Sequence, residues 1–246
     1  MQFLCLHGAL GNRDTIRIQL EPLQKELASG QVAEFHYTNA PFEANPPPGF
    51  REYFGLGPYF RWVDDEGAAE DSMLARIREL PVRRTPEDVM RHLMNKEIKW
   101  KNRNSVIQFL DDLLDKHPEI EGIVGYSEGS AMAATYIIDE QRRLKETGRT
   151  RRIKCAIFFT GWPPISNGNG PILSDESDVV VDVPTLHVVG ANDPYCQGAL
   201  ALYNVCDPDV AMMFDTGKGH TVPRDAVVIS ELANEVKELI ENTNSM

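Results

Sequence analysis

The sequence has 246 residues, 42% of them hydrophobic, which is enough for one domain with a substantial core and too few for two large ones. The formal net charge is −12, from 25 basic and 37 acidic residues, so we expect neither a nucleic-acid partner nor binding to an anionic membrane. Four cysteines without CxxC spacing indicate free thiols, so we expect neither disulfides nor a bound metal, and no cofactor.

The first part of the chain predicts two strands separated by a helix. Residues 2–7 form a short apolar run that ends at Gly8, and residues 31–37 form the second predicted strand. Between them, residues 12–28 carry isoleucine and leucine at the three-and-four spacing of an amphipathic helix. This order is typical of the start of an α/β domain.

A long irregular segment follows the second predicted strand. Residues 45–49 read Asn-Pro-Pro-Pro-Gly and cannot continue a helix or a strand, yet the surrounding segment is rich in aromatic residues, which disordered linkers seldom carry. We interpret residues 39–103 as an insertion that forms a lid or pocket wall. Tyr59 and Trp62, together with Trp162 from a later loop, are therefore candidate substrate-binding residues.

The rest of the chain alternates helices and strands. Thr85-Pro86-Glu87 is typical of a helix start. Further helices are predicted at residues 104–116, from the end of the next strand to about 146, from about 195, and at 223–241. Further strands are predicted at residues 120–124, 153–159, 185–189 and 210–214. Because most of the strands are almost continuously apolar, we expect a single α/β domain over residues 1–246, with a mostly parallel six-stranded sheet covered on both faces.

A GxSxG motif lies where the strand at residues 120–124 gives way to a helix. It reads Gly125-Tyr126-Ser127-Glu128-Gly129. In a nucleophile elbow, the serine occupies a strained strand-to-helix turn, and the flanking glycines leave room for the close approach of neighbouring backbone. The motif alone is weak evidence, since roughly one random chain in ten of this length contains it.

Two further residues stand where partners of a nucleophilic serine are expected. Asp193 follows the strand at residues 185–189, and His220 follows the strand at 210–214, so the chain order is serine, acid, histidine. The carboxyl ends of parallel strands meet at one edge of the sheet. Ser127, Asp193 and His220 therefore form a candidate catalytic triad, although Asp193 could instead only cap the helix that follows it, and Asp215 is the alternative acid.

The first strand is followed by a candidate oxyanion loop. The backbone N–H of Ala9 or Leu10, together with that of Glu128, is placed by this architecture to meet a developing negative charge. His7 precedes this loop. Two roles remain open for it, a structural one that holds the loop and a direct one in the chemistry.

Five stretches together resemble one known family. They are LCLHGALGN at residues 4–12, GPYFRWVDD at 57–65, IVGYSEGSAMAA at 123–134, PTLHVVGANDP at 184–194 and GKGHTVP at 217–223. The chain resembles the FSH family of small serine hydrolases, within the α/β-hydrolase superfamily. The resemblance implies the α/β-hydrolase fold and Ser127, Asp193 and His220 as the triad. It is greatest for stand-alone thioesterases of the lovastatin type, which release polyketides from fungal synthases, whereas residues 67–103 match no family motif.

The resemblance and the triad together lead us to expect a serine hydrolase that cleaves an acyl thioester or ester through an acyl-serine intermediate. Release of a polyketide or fatty acyl chain from a carrier protein is the first hypothesis. The alternatives are a general short-chain carboxylesterase, an acyltransferase, and a non-catalytic acyl-binding protein on the same fold. Since the N-terminal residues lack the basic lead of a signal peptide and no apolar run approaches ~20 residues, we expect a cytoplasmic protein.

A basic stretch within the predicted insertion suggests a protein partner. Residues 83–103 carry seven basic and three acidic residues in an otherwise acidic chain. The basic residues are Arg83, Arg84, Arg91, Lys96, Lys99, Lys101 and Arg103. An acidic acyl carrier domain of a polyketide synthase would be attracted to such a surface. Two alternatives are a plain solvated surface and a competing basic cluster at residues 142–154, expected on the face away from the serine.

Overall fold

The computed structural model describes residues 1–55, 57–63, 84–94, 100–167 and 170–245. Its strands are β1 (Gln2–Leu6), β2 (Glu34–Tyr37), β3 (Phe42–Glu43), β4 (Phe60–Arg61), β5 (Ile120–Tyr126), β6 (Cys155–Phe159), β7 (Thr185–Val189) and β8 (Ala211–Asp215). Six of these form one sheet in the order β2-β1-β5-β6-β7-β8, and every neighbouring pair is parallel. Strands β3 and β4 form a separate antiparallel pair. The predicted parallel six-stranded sheet is confirmed for the described residues.

The described helices are α1 (Arg13–Ser29), α2 (Phe50–Phe54), α3 (Pro86–Leu93), α4 (Arg103–Lys116), α5 (Glu128–Thr147), α6 (Cys196–Asn204) and α7 (Ala226–Ser245). Two of them begin at signals visible in the sequence. Asn12 caps α1 by accepting from the N–H groups of Asp14 and Thr15, and Thr85 caps α3 just before a proline in the first helical position. None of the described helices combines the length and the apolar character that a membrane span requires.

Side chains of the sheet alternate between two apolar layers. Along β1, Leu4 and Leu6 belong to one buried cluster with residues of α4 and α5, whereas Phe3 and Cys5 belong to another with residues of α1 and α7. Successive residues of a strand point to opposite faces, so this alternation shows that helices cover both sides of the sheet. The elements that carry the candidate site residues are therefore fixed by a core on each side.

Two predicted strands begin later than expected. Strand β2 begins at Glu34 and not at residue 31, because the N–H groups of Gln31 and Val32 bond back to the end of α1 and close a turn. Strand β6 begins at Cys155, because the N–H of Ile153 donates to the carboxylate of Glu140 and not to a neighbouring strand. In both cases hydrogen bonds outside the sheet occupy the first residues of the predicted strand, so the strand begins later than its apolar pattern.

The predicted insertion contains regular structure where it is described. Strands β3 and β4 and helices α2 and α3 lie within residues 39–103. Residues 64–83 and 95–99 of that insertion, and with them Arg83, Lys96 and Lys99 of the basic stretch, lie outside the described residues. The described parts of the insertion contact the rest of the domain directly, through bonds from Phe60 to Gly11 and from Trp62 to His7.

Candidate active site

Ser127 occupies the turn between β5 and α5. Its backbone has φ 54° and ψ −117°, a conformation that a non-glycine residue adopts only under strain. A Cβ on Gly125 would lie 2.4 Å from the Cα of Ser130, and one on Gly129 would lie 2.4 Å from the carbonyl oxygen of Leu6. Both glycines are thus required by close backbone approach, and the turn has the geometry that the GxSxG pattern predicts.

The loops after β7 and β8 bring Asp193 and His220 together. The Nδ1 atom of His220 lies 2.7 Å from Oδ2 of Asp193, whose side chain is only 2% exposed. Because a carboxylate can only accept, Nδ1 carries the proton of this bond, and in the neutral tautomer Nε2 has the lone pair. The other oxygen of Asp193, Oδ1, accepts from the N–H of Tyr195 at 2.8 Å. Asp193 therefore closes the turn ahead of α6 and also faces the histidine, whereas the N-cap position of α6 is Tyr195 and no side chain caps that helix.

The alternative acid, Asp215, shapes the two loops that carry Asp193 and His220. Its Oδ1 accepts from the N–H of Ala191 at 3.1 Å and from that of Gly217 at 2.8 Å. In the described part of the chain, the histidine bonds to Asp193 and not to Asp215. Asp215 thus stabilises the conformations of both loops through their backbone N–H groups.

The candidate oxyanion loop lies against the elbow. A Cβ on Gly8 would be 3.3 Å from the Cβ of Ser127, and the N–H of Gly11 closes a turn onto the Gly8 carbonyl at 3.0 Å. Leu10 within this turn has a positive φ of 56°. Among the described residues, the backbone N–H groups of Ala9, Leu10 and Glu128 donate to no protein acceptor. The three predicted donors are therefore available to a bound group.

Comparison with known proteins shows which family the chain belongs to. The profile described as serine hydrolase (FSH1) matches residues 1–232. The chain belongs to this FSH1 serine hydrolase family. The esterase FUS5 of Gibberella fujikuroi is 25% identical over 96% of this chain and 85% of its own length. The dihydromonacolin L-[lovastatin nonaketide synthase] thioesterase of Aspergillus terreus is 24% identical over 96% of this chain and 91% of its own length.

A solved structure agrees on the fold. The Arabidopsis thaliana protein SOBER1 superimposes with a TM-score of 0.52 and 17% identity, over 98% of this chain and 99% of that chain. The predicted family and the predicted fold class are thus confirmed. This FSH1-family protein is a serine hydrolase, and its relatives include both esterases and thioesterases.

His7 of this FSH1-family protein has a structural role. It is 1% exposed, its Nδ1 bonds to the Gly8 carbonyl at 2.7 Å, and its Nε2 accepts the N–H of Ala40 at 3.0 Å. Burial lowers the pKa of His7 to about 4, so the ring is neutral at physiological pH. With both ring nitrogens occupied, His7 holds the oxyanion loop, which is the structural alternative left open by the sequence.

Two tyrosines that the sequence analysis missed enclose the imidazole of His220. The ring of Tyr126 lies 5.4 Å from it and that of Tyr195 lies 5.1 Å from it, and the Tyr126 hydroxyl donates to the His220 carbonyl at 3.0 Å. Trp162, a predicted substrate-binding residue, is half-buried with its ring 5.6 Å from Tyr195. Adjacency to the motif serine and to Asp193 was the only sequence signal for the tyrosines. A substrate-binding role for Trp162 stays a prediction.

The other two predicted pocket residues lie in the interior. Trp62 is fully buried, donates through Nε1 to the His7 carbonyl at 2.9 Å and packs on the His7 ring, so its assignment to substrate binding is wrong. Tyr59 is 5% exposed, and its hydroxyl bonds to the Gly55 carbonyl, so it too offers almost no surface to a ligand. The reason is that hydrogen bonds fasten this segment to the domain, which turns the aromatic rings inward.

Two described residues of the basic stretch, Arg91 and Arg103, form ion pairs. Arg91 contacts Asp88 at 2.6 Å, Asp175 at 2.6 Å and Glu176 at 2.5 Å. These acidic partners raise the pKa of Arg91 and leave no net positive charge at this point. Arg103 similarly pairs with Asp139 at 3.3 Å. Arg91 thus attaches α3 to a neighbouring loop, and a docking role for the basic stretch stays a prediction.

The competing basic cluster at residues 142–154 is also paired. Arg143 bonds both Asp111 and Asp139, whose side chains are buried. Arg151 pairs with Asp182 at 2.8 Å, and Arg152 pairs with Asp115 at 3.1 Å. These contacts join α4 and α5 to the segments before β6 and β7. The cluster therefore stabilises the domain away from Ser127.

Within the described ranges no group of three or more His, Cys, Asp or Glu side chains is arranged to hold a metal ion. The four cysteines are free thiols.

Proposed function

We propose that the protein is an acyl hydrolase that cleaves an ester or thioester through an acyl-serine intermediate. Ser127 is the nucleophile, His220 the general base and Asp193 the group that fixes the histidine tautomer. The observation that carries the proposal is the 2.7 Å bond between His220 Nδ1 and a buried Asp193, with His220 in contact with Tyr126, which directly precedes the serine on the strained turn. Membership of a serine hydrolase family supports the same conclusion.

The reaction follows from the protonation states of these groups. Nε2 of His220 takes the proton of the Ser127 hydroxyl as its oxygen attacks the acyl carbonyl, and the imidazolium is stabilised by Asp193. The negative charge on the carbonyl oxygen is met by the N–H of Glu128 and that of Ala9 or Leu10. His220 then donates its proton to the departing thiol or alcohol. Water, deprotonated by the same Nε2, attacks the acyl-serine, and His220 returns that proton to the Ser127 oxygen as the acid is released.

The substrate class that we favour is an acyl chain on a carrier protein, such as a polyketide or a fatty acyl group. Support comes from the Aspergillus terreus relative, whose name describes a thioesterase of a nonaketide synthase. The esterase relative supports the second candidate, a general short-chain carboxylesterase. In either case the acyl group reacts at Ser127, so the two candidates differ only in the leaving group and the acyl pocket.

A labelling experiment tests the chemistry. Wild-type protein should react with a fluorophosphonate probe, whereas Ser127→Ala should not, and the matched variant Ser130→Ala should label as the wild type does. Ser130 lies three residues further along the chain and bonds to the Phe159 carbonyl at 3.3 Å, so it tests whether the loss is specific to the elbow. No reaction of the wild type, or persistent reaction of folded Ser127→Ala, would contradict the proposal.

A substrate panel tests the leaving group. Acyl thioesters of pantetheine and matching oxygen esters of graded chain length should be compared with the same acyl groups loaded on an acyl carrier domain. Higher kcat/KM for the carrier-bound thioester than for the pantetheine thioester supports release from a carrier. Higher kcat/KM for short oxygen esters than for every thioester would favour the carboxylesterase.

A further inference from the structure

Residues 60–63, which we call the brace, contact the loop that carries two of the candidate oxyanion donors. The N–H of Phe60 donates to the Gly11 carbonyl at 3.0 Å, and the indole Nε1 of Trp62 donates to the His7 carbonyl at 2.9 Å. Gly11 and His7 stand on either side of Ala9 and Leu10. The brace thus holds both ends of this loop.

The same brace holds the residue that follows the nucleophile. Arg61 donates to Oε2 of Glu128 through Nε at 3.0 Å and through Nη2 at 2.6 Å. Oε1 of Glu128 accepts from the N–H of Trp62 at 2.7 Å and from that of Val63 at 3.3 Å. The Glu128 side chain is 10% exposed and that of Arg61 is 24% exposed, so this is a largely buried, charge-assisted contact.

The two halves of the oxyanion site come from elements that are far apart in the chain. One half follows β1 and the other begins α5, and the brace bonds to both. Backbone packing of Gly129 on Leu6 sets how close they lie, whereas hydrogen bonds to the brace limit how each half can turn. An oxyanion donor acts through its direction as much as its distance, and a displacement of 1 Å can lower a rate by about 10²-fold.

We propose that Arg61 is a positioning residue, whose ion pair with Glu128 holds the N–H groups of Glu128 and of the Ala9–Leu10 turn in the orientation that the transition state requires. This inference rests on the proposed acyl-transfer function. Removal of the Arg61 guanidinium leaves the largely buried Glu128 carboxylate, within the described part of the chain, with the two backbone donors of the brace. Such a group is driven toward solvent, and the start of α5 moves with it.

The variants are Arg61→Met, which keeps the length of the side chain without its charge, and Glu128→Gln, which keeps an acceptor for Trp62 and Val63. The matched control is Arg151→Met. Arg151 is 18% exposed, pairs with Asp182 at 2.8 Å and precedes β6. It therefore lies at the amino-terminal end of the strands, whereas Ser127 lies at the carboxyl-terminal end. Each variant is measured on a small soluble ester for kcat, KM, thermal midpoint and affinity for an alkylboronic acid, which forms a tetrahedral adduct with the serine.

We expect Arg61→Met and Glu128→Gln to lower kcat by about 10-fold to 100-fold with little change in KM, because only the transition state carries the oxyanion charge. Affinity for the boronic acid should fall by a similar factor. The double variant should be no slower than Arg61→Met alone, since the pair is already broken. Arg151→Met should lower the thermal midpoint while its kcat stays near the wild-type value.

Two results would overturn the positioning role. One is an unchanged kcat in folded Arg61→Met and Glu128→Gln. The other is a fall in kcat without a fall in boronic acid affinity, which would indicate a structural effect elsewhere. If Arg61→Met does not fold, Glu128→Gln and Arg61→Lys carry the same test. A wild-type protein that fails to react with fluorophosphonate refutes the proposed function instead, so the two failures are distinguishable.

Discussion

Replacement of Asp193 by asparagine should nearly abolish turnover while leaving the fold intact. Oδ1 of Asp193 accepts the N–H of Tyr195 at 2.8 Å, and Oδ2 faces Nδ1 of His220 at 2.7 Å. In Asp193→Asn, the Tyr195 N–H requires the amide oxygen at the first position, so the NH₂ group must face His220. Nδ1 then has to accept, and the proton moves to Nε2, where it blocks removal of the Ser127 proton.

The expected loss in kcat is about 10⁴-fold, equivalent to about 5.4 kcal/mol of transition-state stabilisation. The assay is steady-state hydrolysis of a small ester, with the thermal midpoint as a measure of folding. The matched control is Asp215→Asn, which keeps an acceptor for Ala191 and Gly217 and should be impaired far less. A larger loss in Asp215→Asn than in Asp193→Asn would refute the reasoning, as would Asp193→Asn with nearly full activity.

Three further predictions concern stability and docking. The pKa of His7 is lowered to about 4 and that of His187 to about 3, from an ordinary value of 6.5, so unfolding takes up protons below pH 6.5. The free energy of unfolding should therefore fall between pH 6.5 and 4, by up to about 1.4 kcal/mol per pH unit for each histidine. Denaturant titrations at several pH values should show that the free energy of unfolding depends less steeply on pH in His187→Phe than in the wild type, and an identical pH dependence would contradict this. Trp62→Phe should lose about 1–2 kcal/mol of stability, because the His7 carbonyl loses its donor, with no change in KM; a raised KM would restore Trp62 as a substrate contact. Arg91→Met should lower stability by about 1 kcal/mol and leave kcat/KM for a carrier-bound thioester unchanged. A salt-dependent loss of kcat/KM on that substrate alone would instead support the docking role of the basic stretch.

Local features of the sequence predicted most of the fold. Strand β7 lies at the predicted residues because a buried run between a proline and a glycine has few other conformations available. The start of α1 was visible in Asn12, whose cap is a short-range contact. Ser127, Asp193 and His220 each follow a predicted strand, and because parallel strands end together this placed the three residues at the same end of the sheet.

Long-range contacts are what the sequence did not reveal. Arg91 finds two of its acidic partners more than 80 residues along the chain, and Arg61 finds Glu128 across 67 residues. The burial of Trp62 depends on the His7 carbonyl, 55 residues away. A pattern of charge or aromatic residues in one segment gives no information about such partners. The contacts of Arg91 and Trp62 could therefore not be predicted, because each side chain bonds to a group that is distant in the sequence.

The described residues on either side of residues 64–83 are each bonded to the rest of the domain. On one side the brace bonds to Glu128, and on the other Glu87 at the start of α3 accepts from Ser174 at 2.9 Å and Asn204 at 2.7 Å. The brace and the start of α3 thus each keep their place through bonds to the described part of the domain.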